Sequence, residues 1–181
     1  AYLFNPRNDL KFEAGARFAY ENDILVKNAF HLYPLVNMTW SVIPRVTVTA
    51  SLSGDMEKVS LHTLSAQNMW LGSNVALSHA NNLINVDAAV RAAAAPGLSL
   101  FAGVRYGGYS NLYFFANKLG KTSRFEVLYD DARLTGIYTG LAIQKGKAVV
   151  NVRGDYFGWS VSGLAAPFHR PRYKAELDGS F

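Results

Sequence analysis

The chain contains no cysteine, which excludes disulfides, zinc–thiolate sites and cysteine nucleophiles. It also lacks the roughly 18 uninterrupted apolar residues of a membrane helix. Its most apolar stretch, "AAVRAAAAPGLSLFAGV", is broken by Arg91, Pro96 and Gly97. Charged residues make up only 17% of the chain, below the roughly 25% typical of soluble domains. A helical membrane protein is therefore excluded, and the surface is short of charge.

Positive charge is present but is not concentrated anywhere. The formal net charge is +5, yet lysine and arginine are scattered singly along the chain, so we expect no nucleic-acid binding. The first residues, "AYLFNPRNDL", show no basic region followed by an apolar stretch, so we expect no signal peptide. Such a chain would be mature, cut from a longer one, or cytosolic. A length of 181 residues suits one domain, and we treat 1–181 as a single unit.

Hydrophobic periodicity of two recurs along most of the chain, whereas helical periodicity is rare. In "LKFEAGARFAY" the even-numbered residues from Leu10 to Tyr20 are apolar, and Lys11, Glu13 and Arg17 alternate with them, as in a half-buried strand. The pattern predicts nine strands: 10–20, 30–42, 45–52, 58–66, 84–92, 98–106, 124–144, 148–156 and 172–181. Ala1–Phe4 is a possible tenth strand.

Turn residues separate these segments. Tight turns are predicted at Pro44, at "APG", at "QKGK" and at "SGDME", the last reversing the chain into the 58–66 strand. The segment 67–80 is the least periodic and is predicted to be a long loop with a short element of its own. The "NKLGKTS" and "SGLAAPFHRP" stretches are predicted to be further connections.

The polar face of the predicted strands carries full charges in mid-strand, and many strands reach ten residues, long enough to cross a bilayer when tilted. These features favour a membrane barrel whose polar face lines a lumen. The candidate lumen-lining residues are Lys11, Glu13, Arg17, Asp87, Arg91, Arg105, Arg153, Asp155, Lys174 and Glu176. Arg17, Arg91, Arg105 and Arg153 outnumber Glu13, Asp87 and Asp155 among them, so a pore would mildly prefer anions.

Aromatic residues concentrate toward strand ends, as in the girdles of outer-membrane barrels at the two membrane interfaces. The candidate interface residues are Tyr20, Trp40, Tyr106, Tyr156, Tyr173 and Phe181. We therefore predict an all-β, antiparallel up-and-down transmembrane β-barrel of about 8–10 strands, or part of a larger barrel. An uneven strand count would point to the larger barrel, because lipid cannot satisfy a free strand edge.

A soluble lipocalin-like ligand-binding barrel stays open as an alternative, because soluble antiparallel sheets also alternate. In that case Trp40, Trp70 and Trp159 would lie near an apolar pocket. Solubility without detergent would distinguish the two.

No catalytic residue, metal site or cofactor site emerges from the sequence. The four histidines have no metal-ligand spacing. "SHANN" is faintly similar to the deacylase His-x-Ser-Asn string, but Asn81 occupies the nucleophile position. Adjacent Asp130 and Asp131 would point to opposite sheet faces and could not share a proton, so a turn or ion-pair role is expected. We expect the protein not to be an enzyme.

Several strings carry a family resemblance: "FHLYPLVNMTWSVIP", "LTGIYTGLAIQ", "NLYFFAN", "FEVLYDD", "GDYFGWSVSG" and "FHRPRYKAELDGSF". Together they resemble the C-terminal barrel portion of Bacteroidota outer-membrane proteins of the TonB-dependent-receptor-like or porin-like group. The resemblance implies the later strands of a longer barrel in the bacterial outer membrane. It also implies a lipid surround, insertion by the barrel assembly machinery, and contact with the rest of a barrel or with other outer-membrane subunits.

The implied functions are porin-like passage of small polar solutes, or a membrane anchor or scaffold. A terminal Phe181 that closes an alternating strand also resembles the signal by which the assembly machinery recognises outer-membrane proteins.

Overall fold

The computed structural model describes residues 2–7, 9–22, 27–72, 75–118 and 121–181. They form one antiparallel sheet in which every strand is hydrogen-bonded to the next in chain order. The elements are β1 (Tyr2–Arg7), β2 (Leu10–Glu21), β3 (Ala29–Ile43), β4 (Val46–Glu57), α1 (Leu61–Gln67), β5 (Ala80–Ala95), β6 (Leu98–Lys118), β7 (Lys121–Lys145), β8 (Ala148–Val161) and β9 (Tyr173–Ser180). The predicted all-β, up-and-down architecture is confirmed. Ala1, the start of the possible tenth strand, lies outside the described residues, and the rest of that segment falls in β1.

The two ends of the sheet differ. β3–β4, β5–β6 and β7–β8 are joined by tight turns at one end, which we call the short-turn end. The turn at Pro96 and Gly97 needs glycine, because Gly97 has a φ of 76° and a side chain there would meet the Gln144 carbonyl. The opposite, long-loop end carries the 58–79 connection with α1 and the 162–172 segment.

The pairing register keeps like residues on one side of the sheet. Arg91 pairs with Phe101 and Arg153 with Glu176, whereas Val90 pairs with Ala102. We call the side with Arg91 and Arg153 the charged face and the side with Val90 the apolar face. The alternation that the sequence predicted therefore extends across the whole sheet.

The predicted "SGDME" turn is wrong. β4 runs straight through Gly54 to Glu57, which pairs with Ala80 of β5. A Cβ on Gly54 would lie 2.6 Å from Cδ1 of Tyr33. Glycine at this point makes room for a ring that crosses the strand, and it does not turn the chain.

The predicted 58–66 strand is also wrong, because Leu61–Gln67 form α1. Ser60 caps the helix: its hydroxyl accepts from the Thr63 N–H at 3.2 Å, and the Thr63 hydroxyl accepts from the Ser60 N–H at 2.9 Å. Leu64, one helical turn from the cap, is completely buried. Local capping and burial of one leucine decide the helix over an extended pairing.

β6, with 21 residues, is much longer than the predicted 98–106 strand, and β7, with 25, extends the predicted 124–144 strand by only four residues. Together they rise above their neighbours at the long-loop end. The β8 pairing stops at Ala132, and the β5 pairing stops at Ser110. Around the projecting hairpin, α1 and the flanking segments bury a small core that we call the cap. Its members are Val59, Leu64, Ala80, Leu112, Tyr113, Phe114 and Ala132.

The described sheet is open. β1 pairs only with β2, and β9 pairs only with β8, so each has one edge without a partner strand among the described residues. Within the same part of the chain, no helix has both the length and the apolar character needed to cross a bilayer.

Candidate functional site

The centre of the charged face is a cluster of charged groups around the Tyr138 ring. The Tyr138 hydroxyl donates to Oδ1 of Asp87 at 2.6 Å, and Nε of Arg105 donates to Oδ2 of the same carboxylate at 3.1 Å. The guanidinium of Arg153 lies 4.4 Å from the Tyr138 ring centroid and bonds both oxygens of Asp155, at 2.9 and 2.7 Å. Two carboxylates, two guanidiniums and one ring thus form one network in which each charged group has a hydrogen-bond or ion-pair partner.

Glycine seats the rings on this face. A side chain at Gly103 would collide with the Tyr138 ring, and one at Gly140 would collide with the Phe101 ring. Each ring crosses a neighbouring strand at a position without a Cβ, so it lies flat on the sheet. The flat rings then offer their faces to Arg153 and, at 5.4 Å from Phe101, to Arg91.

Every predicted lumen-lining residue lies on the charged face, and most of the cations there are neutralised. Arg17 pairs with Asp55, and Lys174 pairs with Glu176. Asp55 had been assigned to a turn by its sequence and is a further acid on this face. Glu13 accepts from the Asn37 amide at 3.2 Å.

Two predicted lumen cations keep an uncompensated charge. Among the described residues, neither Lys11 nor Arg91 has a carboxylate within ion-pair distance. The pairing register places both near the short-turn end.

A second polar network runs across β2, β3 and β5 toward the long-loop end. Glu21 is only 2% exposed, and one of its oxygens accepts from Nε2 of His31 at 2.7 Å. Asn81 bonds Nδ1 of His31 at 3.0 Å and accepts from the Tyr33 hydroxyl at 2.7 Å. Within the described part of the chain, Oε1 of Glu21 is buried and has no hydrogen-bond partner. His31, whose side chain is 19% exposed, is therefore a largely buried member of this network.

The other histidines have structural contacts. Nδ1 of His79 accepts from the Val59 N–H at 3.2 Å, His62 is exposed on α1, and His169 packs edge-on against Phe125 at 5.0 Å. Within the described ranges, no three His, Asp or Glu side chains lie close enough together to hold a metal ion.

Asp130 and Asp131 act separately, each binding backbone N–H groups. Asp131 accepts from Asn111 at 3.0 Å, where Asn111 has a φ of 60° in a β-bulge of β6. Asp130 accepts from Gly163 and Leu164, both at 2.8 Å. Burial raises the pKa of Asp130, but the N–H groups of Leu164, Gly163, Asp131 and Ser162 together lower it below its ordinary value. Neither residue forms the ion pair considered from sequence.

The predicted interface aromatics with described strand positions lie on the apolar face. Tyr20 and Tyr173 lie at the long-loop ends of β2 and β9, whereas Tyr106 and Tyr156 lie in mid-strand, where Tyr156 contacts Tyr173 at 5.3 Å. Trp40 lies toward the short-turn end and donates to Asp9 at 3.3 Å. Phe181 follows β9 at the same end and is fully exposed.

A shallow groove of about 1040 Å³ crosses the apolar face over β5 to β9. Its floor is one cross-strand row of mostly small residues: Val90, Ala102, Thr139, Gly154 and Ala175. Trp40, Trp70 and Trp159 do not line it. Trp40 lies on the apolar face, Trp70 next to α1 and Trp159 on the charged face, so they do not form the pocket expected of the soluble alternative.

Sequence reasoning missed Tyr138, Tyr33 and Glu21. Tyr138 and Tyr33 sit among residues of mixed patterning or beside a proline, and their roles depend on glycines of neighbouring strands. The one available signal was an isolated glycine within an alternating strand, which marks a close approach but does not identify the partner.

Comparison with known proteins gives matches only at the level of structure. No family model matches the chain, and no curated protein matches it. A mutant of the ferric enterobactin receptor PfeA from Pseudomonas aeruginosa is similar over 86% of this chain, with a TM-score of 0.56 and 11% identity. The copper transporter OprC is similar over 83%, with a TM-score of 0.50 and 14% identity. The chain spans about a quarter of each of those proteins, 25% and 26% respectively, so it has the fold of part of an outer-membrane receptor barrel.

Proposed function

We propose that this chain forms part of the wall of a bacterial outer-membrane β-barrel, and that its charged face lines an aqueous lumen for small polar solutes. The role is passive and non-enzymatic. The apolar face meets lipid, and the barrel assembly machinery inserts the protein.

The observation that carries this proposal is the opposite chemistry of the two faces at the same height of the sheet. On the apolar face, large side chains are widely exposed: Phe18 by 79%, Ile137 by 59% and Leu177 by 74%. On the charged face, Arg105 and Arg153 are held in ion pairs. Soluble proteins rarely expose a contiguous apolar surface beyond a few hundred Å², whereas a barrel wall in lipid requires one.

The apolar groove supports a lipid environment. Its floor row crosses five strands, roughly 19 Å at about 4.8 Å per strand spacing. Acyl chains can fill such a groove, whereas water would gain no hydrogen bonds along its apolar walls.

The two ends of the sheet support an orientation. Outer-membrane barrels have short periplasmic turns and longer extracellular loops, so the short-turn end would face the periplasm and the cap would face outward. The aromatic residues at the strand ends, Tyr20 and Tyr173 at one end and Trp40 and Phe181 toward the other, would then mark the two membrane interfaces.

The free edges of β1 and β9 require partner strands in lipid, because no water is present there to bond their N–H and C=O groups. Further strands of a longer barrel, or strands of other outer-membrane subunits, would supply them. The chain spans only about a quarter of PfeA and of OprC, which also supports the presence of neighbouring strands.

The lumen would prefer anions mildly, through Lys11 and Arg91. The other predicted lumen cations, Arg17, Arg105, Arg153 and Lys174, are offset by Asp55, Asp87, Asp155 and Glu176. A planar-bilayer measurement that finds equal permeability for potassium and chloride would contradict this preference.

Membrane fractionation tests the proposal as a whole. The full-length protein, expressed with its native export signal in a Gram-negative host, should sediment with outer membranes and resist extraction by alkaline carbonate. It should also need detergent for purification. A monodisperse protein in buffer without detergent would contradict the proposal and favour the soluble barrel.

A further inference from the structure

The 162–172 segment, which joins β8 to β9, folds back over the charged face at the long-loop end. Its anchor is Arg170, whose guanidinium carbon lies 5.3 Å from the ring centroids of Tyr113, Phe114 and Trp159. Nη2 of Arg170 also donates to the Tyr113 carbonyl at 2.8 Å. Trp159 shares its face with Arg153 and Asp155, because the three alternate along β8. Arg170 therefore covers the same face that carries the central charged cluster.

The start of the segment is held separately. The N–H groups of Gly163 and Leu164 bind the Asp130 carboxylate, and the Ser162 N–H binds the Asp131 carbonyl at 3.0 Å. At the far end, the Arg172 carbonyl accepts from the Phe157 N–H at 2.8 Å. Both ends are thus bonded to backbone or carboxylate groups of the sheet. The middle of the segment packs Leu164 and Phe168 against the cap core and His169 against Phe125, and Arg170 makes its contact with Trp159 on the charged face.

The Arg170 contact is suited to reversible release. No described carboxylate lies within ion-pair distance of Arg170, and burial lowers the pKa of its guanidinium. Cation–π contacts and one bond to a carbonyl are weaker than a buried ion pair. Nε1 of Trp159 is buried and has no hydrogen-bond partner among the described residues, so opening would give it water.

The backbone next to Arg170 is held in an unfavourable conformation. His169 has a φ of 57°, which residues other than glycine rarely adopt. Such a conformation persists only where the surroundings hold it. Release of Arg170 would allow His169 to adopt a more favourable φ angle. The energy of the unfavourable His169 conformation therefore opposes closure of the segment.

We propose that the 162–172 segment is a flap, latched by Arg170 in the cage of Tyr113, Phe114 and Trp159, that controls access from the long-loop end to the charged face. This inference rests on the proposed function, in which the charged face lines a solute passage.

The test uses Arg170→Ala, with Arg172→Ala as matched control. Both changes remove one arginine from the same segment, but only Arg170 contacts the cage. Trp40, Trp70 and any tryptophan of the full-length protein outside these 181 residues are replaced by phenylalanine, so that Trp159 alone gives the signal. Acrylamide quenching of the full-length protein in liposomes then reports access to the cage, and swelling of the same liposomes in a small sugar reports passage.

Loss of the latch should shift the closed-to-open ratio at least about tenfold. We expect Trp159 quenching and swelling both to rise in Arg170→Ala and neither to change in Arg172→Ala. Arg170→Lys keeps the charge but loses the planar guanidinium and should fall between the parent and Arg170→Ala, which guards against a folding defect.

Equal quenching in Arg170→Ala and the parent, with normal heat-modifiability on gels, would overturn the flap. Increased quenching in Arg172→Ala as large as that in Arg170→Ala would also overturn it, because the cage contact would then not be the cause. Increased quenching in Arg170→Ala alone, with no swelling in any variant, would uphold the latch and refute the proposed passage.

Discussion

Replacing Gly103 with alanine perturbs the charged face at the point where the Tyr138 ring lies on the sheet. The added methyl would collide with the ring and lie 2.8 Å from the Ala88 carbonyl oxygen. The backbone of two paired strands cannot yield easily, so the ring must lift. Lifting it breaks the 2.6 Å bond from Tyr138 to Asp87 and separates the ring from Arg153 and Arg105.

The magnitude follows from those contacts. A hydrogen bond to a charged group contributes about 1.5–3 kcal/mol, and each partly exposed cation–π contact contributes about 0.5–1 kcal/mol. Alanine itself is more favourable than glycine within a strand by about 0.5–1 kcal/mol. We expect Gly103→Ala to lower the free energy of unfolding by about 2–4 kcal/mol.

Gly154→Ala is the matched control, because a side chain at Gly154 would meet nothing within 4 Å. It should be neutral or stabilising by up to about 1 kcal/mol. Urea unfolding of the reconstituted protein, followed by heat-modifiability and tryptophan emission, measures both variants. If Gly103→Ala and Gly154→Ala change the free energy of unfolding by the same amount within about 0.5 kcal/mol, the packing of the Tyr138 ring on Gly103 is refuted.

Three further predictions concern the cap, the start of the 162–172 segment and the lumen. Leu64→Ala should destabilise the cap by about 2–5 kcal/mol, which faster amide exchange in α1 would show. Leu61→Ala changes a position that is 56% exposed and should not destabilise the cap. Equal effects of the two changes would contradict the burial of Leu64 in the cap core. Because the pKa of Asp130 is lowered from 3.8, its hold on Gly163 and Leu164 should persist above that pH and be lost as the pH falls through the lower folded-state pKa. Exchange protection of those two amides should then drop in acid, while the Phe157 amide, bonded to the Arg172 carbonyl, keeps its protection. Loss of protection in all three amides together would argue against Asp130. Arg91→Gln should reduce chloride over potassium permeability in planar bilayers, whereas Lys147→Gln in the β7–β8 turn should not, and an unchanged ratio in Arg91→Gln would remove Arg91 from the lumen.

The part of the fold that follows period-two alternation was predictable from the sequence. From Leu10 to Tyr20 and from Ala148 to Tyr156, side-chain chemistry alternates because the two faces meet different surroundings, and the face assignment needs no knowledge of neighbouring strands. Turns at Gly97 and Gly146 were also predictable, because their positive φ angles suit glycine.

Features that depend on contacts between distant segments were not predictable. "SGDME" has turn composition, yet Gly54 and Asp55 stay in β4, because the Tyr33 ring needs the space and Arg17 of β2 needs the carboxylate. Segment 58–66 was predicted as a strand, but part of it forms a short helix. That helix depends on Leu64 entering a core built by β6 and β7, which the local sequence does not show. The hold of Asp130 on the 162–172 segment joins residues 33 and 34 positions apart, which no local pattern encodes.

The strict chain-order pairing of the strands has a consequence for how the sheet is built. Each strand forms its backbone pairing with the strand before it in the chain, so strand pairing does not wait for a remote strand, and most of the connections to be closed are short. Assembly can therefore proceed by addition at one side, strand after strand. The side chains that fix the register at each step, such as Tyr138 on Gly103, become available only when the later strand arrives. A register error when one strand is added would leave an aromatic ring, such as that of Tyr138, without the glycine that it packs against before the next strand could join.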